Sequence, residues 1–286
     1  MVNVREVLTD SYCAQIRRLF ENILETGAGK SSVEKREIEL YSQLEQYQNE
    51  KRKVMKEWAD TPIQELDGRT PSGLIKDMNE FQDIFELFLY MVENADDDVP
   101  YIIIEKLGTF GDKAVSALTG LADSCLNDQN TITVFIQAVL ALGELKLTDA
   151  VQALIGLAYR ANGSETFLDH IEEALKNAGS CAVEPLLEVL EGKDIGKTEE
   201  MLLYALACTG AKHKDDRIYK ILRQAFRTME NKMPAVLCLN VYGDGRAIPM
   251  LKGYLERNRK IEKNLFFEII GTIRNLGGIT EEFVGF

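Results

Sequence analysis

Ala114-Val115-Ser116-Ala117-Leu118 is the first copy of a short motif that recurs along the chain. It returns as Ala150-Val151-Gln152-Ala153-Leu154, as Ala182-Val183-Glu184-Pro185-Leu186, as Arg217-Ile218-Tyr219-Lys220-Ile221 and as Ala247-Ile248-Pro249-Met250-Leu251. Each copy opens on a small residue or an arginine, continues with Val or Ile, and closes on Leu or Ile. The spacings are 36, 32, 35 and 30 residues. A near-constant period of this length is the mark of a repeat architecture, and it decides the reading of the whole chain.

Outward from each motif the local pattern repeats as well. Gly108, Gly143, Gly179, Gly210 and Gly243 each stand three to seven residues before a copy. Apolar residues precede the glycines at helical spacing, as in Ile132, Phe135, Ile136, Val139, Leu140 and Leu142, or Phe167, Ile171 and Leu175. Glycine reaches the left-handed conformation that closes a helix without a Cβ clash, so each glycine is read as a helix stop. The next helix opens on an acid or hydroxyl, as at Thr148-Asp149, Asp215-Asp216 and Asp244. The predicted unit is helix, glycine turn, helix.

One such hairpin cannot bury both of its helices, whereas stacked copies share a continuous core. In period, glycine turn and Ala-Val-x-x-Leu heart, residues 99–286 resemble the HEAT family, especially the short bacterial repeats first noted in phycobilisome lyases. The resemblance implies an all-α fold, an elongated α-solenoid of helical hairpins. In the last unit, Leu265, Phe266, Ile269, Ile270 and Ile273 mark a first helix, and a stunted Thr280–Phe286 follows as a terminal cap.

Residues 1–98 form a separate N-terminal helical region. Two helices are predicted, over 3–25 and 32–58; the second is rich in Glu, Gln, Lys and Tyr and carries a weak apolar stripe ending at Val54, Met55 and Trp58. Between them, Gly27-Ala28-Gly29-Lys30-Ser31-Ser32 looks like the end of a phosphate-binding loop. Leu24 occupies the place of the required first glycine, and a helix rather than a strand precedes it, so it reads as an interhelical loop that binds no nucleotide. Further on, Thr61-Pro62-Ile63-Gln64 has the form of a capping box, and Thr70-Pro71 opens the next helix by the same device. Trp58 and Leu66 are expected to pin this corner. The stretch Trp58–Pro71 is also similar to the toxin-binding segment of Xre/ParS-type antitoxins.

Composition bounds the function. Of 286 residues, 45% are hydrophobic and 28% charged, as in a folded soluble protein, and no apolar run reaches the roughly 18 residues of a membrane span. The start of the chain lacks a signal pattern, so a cytoplasmic protein is expected. Cys13, Cys125, Cys181, Cys208 and Cys238 form no CxxC pair and read as buried free thiols rather than disulfides or a zinc site. His170 and His213 are the only histidines. Neither belongs to a His-Glu pair, which separates the chain from di-iron HEAT-like hydroxylases. Asp96-Asp97-Asp98 has cation-binding composition but reads as a solvated loop, with Asp98 capping the helix that Pro100 opens. No catalytic set, cofactor or metal site emerges.

Charge is distributed unevenly. Net charge is −13 overall, but −10 over residues 61–130, −7 over 131–200 and +5 over 201–286. The acidic total argues against nucleic acid as a partner, as does a lone Trp58 placed outside the repeats. Counting ten residues on from each motif start gives Ser124, Arg160, Gly192, Arg227 and Arg257; counting six gives Gly120, Gly156, Glu188, Arg223 and Gly253. The arginines serve either as caps of helix C-terminal carbonyls or as a binding ladder, and the glycines as places of close approach. Arg160, Lys220, Arg223, Arg227, Arg246, Lys252 and Arg257 are therefore the candidate partner-binding residues, with Arg259 and Lys260 beside them. The expected function is a non-catalytic scaffold that binds a protein partner with an acidic face. The alternatives implied by resemblance are an accessory protein of lyase or hydroxylase type, acting on a cofactor or protein, and a toxin-binding antitoxin-like protein.

Overall fold

The computed structural model describes residues 3–26, 33–126, 128–258 and 260–283; the Gly27–Ser32 loop and Arg259 lie outside them. The fold is all-α. Among the described residues the only strand-like pairing is an isolated bridge between Ile63 and Arg69. The helices are α1 (Val4–Thr26), α2 (Val33–Asp60), α3 (Pro71–Asp77), α4 (Phe81–Asn94), α5 (Tyr101–Gly108), α6 (Asp112–Cys125), α7 (Ile132–Leu145) and α8 (Thr148–Arg160). They continue as α9 (Glu165–Ala178), α10 (Val183–Leu190), α11 (Lys197–Gly210), α12 (Asp216–Thr228), α13 (Met233–Tyr242), α14 (Ile248–Arg257) and α15 (Lys263–Asn275).

Two compact units divide the chain. One comprises the residues up to Ala117 together with Asn130–Gln137; the other comprises Leu118–Gln129 and the residues from Ala138 onward.

In the first unit α1 and α2 pair along their lengths, and α1 also packs on α4. The corner that follows α2 is tighter than the capping-box reading allows. Thr61 caps nothing: its hydroxyl donates to the Glu57 carbonyl at 2.6 Å, one turn back in α2. The chain instead folds through a 3₁₀ turn, Gln64–Leu66, with Asp67 and Gly68 both in the left-handed region. Thr70 does cap α3, its oxygen accepting from the Gly73 N–H at 3.1 Å with Pro71 at the first helical position. Trp58 and Leu66 are buried. The Trp58 ring meets Tyr12 edge-on at 5.3 Å, and its Nε1–H donates to Ser11 Oγ at 2.9 Å.

Asp97 and Asp98 are not a solvated loop. Both lie half-buried around the Lys51 ammonium, which is 2.5 Å from Asp97 Oδ1 and 2.5 Å from Asp98 Oδ2. Tyr47 donates to Asp97, Gln137 Nε2 donates to Asp98 Oδ1 at 2.8 Å, and Tyr12 donates to the Asp98 carbonyl at 2.7 Å. Asp98 thus ties α1, α2 and α7 together instead of capping α5, whose N-terminus has no side-chain cap. Burial pushes the Asp97 carboxyl up to about 6. Burial acts on Asp98 as well, but Lys51 and Gln137 outweigh it and hold Asp98 below its usual range.

In the second unit the helices alternate between two rows, a helical-repeat arrangement. The first helices α9, α11, α13 and α15 pack side by side, and each second helix packs on the first helix of the hairpin that follows it, α8 on α9, α10 on α11, α12 on α13 and α14 on α15. The motif residues form the core of the second helices: Ala150, Val151, Leu154, Ala182, Leu186, Ile218, Leu222, Ala247 and Leu251 are buried. Short second helices cannot bury enough surface alone, so their stability comes from this stacking.

The glycine reading needs correction. Gly243 closes α13 in the left-handed conformation, φ 72°, and Gly179 closes α9 at φ 62°. Gly143 and Gly210 are helical, and Gly108 ends α5 with a right-handed residue after it. At Gly143 and Gly210 the role is contact instead of turn formation. A Cβ on Gly143 would overlap the Ala174 carbonyl of α9, and one on Gly210 would overlap the Ile218 side chain. Asp215 and Asp244 accept from the backbone N–H two residues on, as expected of caps, whereas Leu147 holds the cap position of α8 without a side-chain bond.

No disulfide joins the cysteines. Cys13, Cys125 and Cys238 are buried as expected, but Cys181 and Cys208 are only half-buried. The terminal cap is a 3₁₀ turn, Glu281–Phe283, in which Phe283 is buried, with Thr280 buried just before it. Thr280 Oγ1 accepts from Arg274 Nε at 2.8 Å.

Candidate functional site: a basic groove between two second helices

A groove of about 480 Å³ lies between α12 and α14. Helical spacing explains its walls. Tyr219, Arg223, Phe226 and Arg227 fall on one side of α12, and Met250, Tyr254 and Arg257 on one side of α14. Phe226 and Tyr254 meet edge-to-face at the floor, centroids 5.2 Å apart at 72°. The apolar faces of both helices are consumed by the core, through Ile218, Leu222, Ala225, Leu251 and Leu255, so the cationic residues are left outward.

The groove's cations divide into anchored and available ones. Arg246 is anchored: Nη1 is 2.7 Å from Asp216 Oδ1 and Nη2 is 2.7 Å from Asp244 Oδ2, and the guanidinium lies 4.4 Å from the Tyr219 ring centre. Lys232 donates to the Met229 and Arg227 carbonyls and so caps the end of α12. Arg223, Arg227 and Arg257 are exposed, and among the described residues none has a carboxylate within ion-pairing distance. By contrast Arg160 is paired with Asp123 at 2.5 Å, and Arg217 with Glu184 at 2.5 Å and Asp215 at 2.7 Å.

The structure therefore gathers four of the seven candidate residues, Arg223, Arg227, Arg246 and Arg257, in one groove. Lys220 points elsewhere on α12, Lys252 pairs with Glu282 at 2.6 Å, and Arg160 is engaged on its own repeat pair. Of the three arginines in the motif register, Arg227 and Arg257 line the groove and Arg160 does not. Carbonyl capping at the end of α12 falls to Lys232 and not to the arginines.

The mid-helix glycines acquire a reason here. A Cβ on Gly253 would stand 3.2 Å from Arg257 Nη1, and one on Gly156 would stand 3.3 Å from Arg160 Nη1. Each glycine is the bed on which the arginine four residues later lies back. The floor accommodates the protein's own side chain.

Two features escaped the sequence. One is the Asp-x-Arg pairing, Asp215-Asp216-Arg217 and Asp244-Gly245-Arg246, in which the arginine binds its own cap and an acid of the preceding repeat. Both cap carboxyls, Asp215 and Asp244, are held below the usual range, first by the hydrogen bonds from these arginines. The two-residue spacing was the available signal. The other is the Phe226–Tyr254 floor beside Lys232, whose two rings come from neighbouring repeats.

No family model and no curated protein matches the chain. Among solved structures, a chain from "Computational Design of Self-Assembling Cyclic Protein Homooligomers" is similar over 97% of this chain and 87% of that one, at 14% identity and a TM-score of 0.19. A likeness at that level carries no argument about fold or function. Among the described residues no group of three or more His, Cys, Asp or Glu is placed to hold a metal ion, and no helix is long and apolar enough to cross a membrane. His170 is half-buried and His213 exposed, on separate hairpins.

Proposed function

We propose that this chain is a non-catalytic, HEAT-like α-solenoid scaffold that binds an acidic segment of a protein partner in the groove between α12 and α14. The observation that carries the reading is the set Arg223, Arg227 and Arg257. In a chain of net charge −13, three neighbouring guanidiniums have no acid placed against them among the described residues, whereas Arg160, Arg217, Arg246 and Arg274 are hydrogen-bonded. Arginine's planar fork matches carboxylates bidentately, and the aromatic floor offers an apolar contact beside it. The acidic repeats next to the groove repel a wrongly oriented acidic partner and so favour one register.

The test uses a fluorescent ten-residue peptide of glutamates around a central phenylalanine. It should bind with an affinity that falls as salt rises. Replacing Arg227→Glu and Arg257→Glu together should slow association and flatten the salt dependence, with helicity and Tm nearly unchanged. Equal binding by the double variant at low salt would remove this groove from consideration.

A further inference from the structure

The second unit has another groove, of about 390 Å³, on the row of first helices α9, α11 and α13. Its chemistry is the reverse of the basic groove. The floor is apolar and sulfur-rich, with Leu168, Met201, Met233 and Leu237, and the flanks carry Glu165, Asp169, Glu172 and Glu200. Glu165 is paired with Lys197 at 2.9 Å, and Glu172 shares Lys176 with Glu173. Among the described residues Asp169 and Glu200 have no basic side chain within ion-pairing distance.

Helix α13 is the anomaly that draws attention here. Met233-Pro234-Ala235-Val236-Leu237-Cys238-Leu239-Asn240-Val241-Tyr242 is apolar on nearly every side. A helix of that kind belongs in a core. Ala235, Val236, Cys238, Leu239 and Tyr242 are indeed buried, yet Leu237 and Val241, one turn apart, are 38% and 37% exposed. The next helix of the row, α15, leaves Phe267 57% exposed. Leu237, the exposed leucine of this helix, lines the groove, and a local rule broken at a groove marks function more often than accident.

We infer that this groove receives a basic amphipathic helix of a partner protein, its apolar side on Met201, Met233 and Leu237 and its lysines or arginines against Asp169 and Glu200. Unbranched methionines adapt to different apolar side chains, which suits a helix-in-groove contact. Charge complementarity chooses the occupant: residues 131–200, which supply most of the flanks, carry −7, so an acidic helix or an anionic lipid surface is repelled. Burial raises the carboxyls of Glu172 and Glu200, so an arriving cation also relieves an unfavourable placement of negative charge. The inference is independent of the basic groove, which faces the other row of helices.

The experiment uses two labelled synthetic 14-residue helical peptides that share a leucine stripe at i, i+3, i+7 and i+10. One is flanked by lysines, the other by glutamates. The lysine peptide should bind about tenfold or more tightly than the glutamate peptide, since the leucine stripes are the same and one paired rather than opposed charge changes affinity by that order. Leu237→Ser alters no charge and removes a side chain that is 38% exposed, so it should lower Tm by no more than a few degrees and weaken the lysine peptide by about fivefold or more. Asp169→Asn with Glu200→Gln should weaken it further, whereas Arg227→Glu with Arg257→Glu should not weaken it. Unchanged binding by Leu237→Ser would reduce the effect to attraction by net charge and overturn the proposal. Concentration-dependent dimers in sedimentation that Leu237→Ser dissolves would overturn it too, by giving the groove to a second copy of the chain.

Discussion

Arg257 lies back along its own helix against Gly253, its Nη1 3.2 Å from where a Cβ on that glycine would stand. The contact couples a weak helix position to a candidate binding residue. The first prediction follows from the mobility of the far end of an arginine. Gly253→Ala should raise the stability of the chain by up to about 1 kcal/mol, the helix-propensity difference, because the guanidinium can yield. The same change moves Arg257, so affinity for the acidic peptide should shift several-fold. Urea unfolding and anisotropy titration measure the two effects; a destabilised Gly253→Ala protein would contradict this account.

Gly143→Ala should have the opposite sign. Here the added methyl meets the Ala174 carbonyl of α9, which is backbone and cannot rotate away. Forcing the helices apart should cost roughly 1–3 kcal/mol, the usual range for overpacking. A urea midpoint at or above that of the unaltered protein would show that the two helices are not as close as described.

The Lys51 hub predicts a particular pH response. Asp97 in the folded chain is pushed up to about 6, from an ordinary value of 3.8, so between those values the folded state holds a proton the unfolded state has released. This group's contribution to stability is therefore present below about 4 and is lost as pH rises through about 6. Asp97→Asn should flatten the stability profile in that window, as read from chemical denaturation at a series of pH values. A profile identical to that of the parent protein would assign the window to other groups.

Lys51→Met removes the ammonium between two half-buried carboxylates. Breaking a buried pair from one side costs roughly 3–5 kcal/mol, so the variant should be strongly destabilised at pH 7. Part of the loss should return near pH 5, where Asp97 can take up a proton. Thermal melts at the two pH values decide it: a variant as stable as the parent at pH 7 would show that Lys51 does not hold the hub together.

How much of this was legible differs from residue to residue. The repeat positions were, because Ala150, Val151 and Leu154 or Ala247 and Leu251 are apolar at helical spacing and a helix must bury such a stripe. The caps at Thr70, Asp215 and Asp244 were legible for a similar reason: a short side-chain oxygen needs only its own next turn. Gly143 misled because a glycine suits both a turn and a close approach, and only the position of Ala174 distinguishes them. Asp98 misled because its partners Lys51, Gln137 and Tyr12 come from three separate helices.

The division between the two levels has one physical cause. Helix and hairpin formation depend on interactions within a few residues, so periodicity, caps and the Ala-Val-x-x-Leu motif determined by themselves an all-α chain with alternating helices from residue 101 onward. Which charges remain unpaired depends on what lies across from each one in space. Arg160 and Arg257 hold equivalent places in the motif register, but Asp123 stands opposite the first and, among the described residues, no carboxylate opposite the second. Only the packing of one hairpin on the next decides that, because an ion pair a few ångströms long joins residues some thirty positions apart, and the sequence carries no measure of that distance.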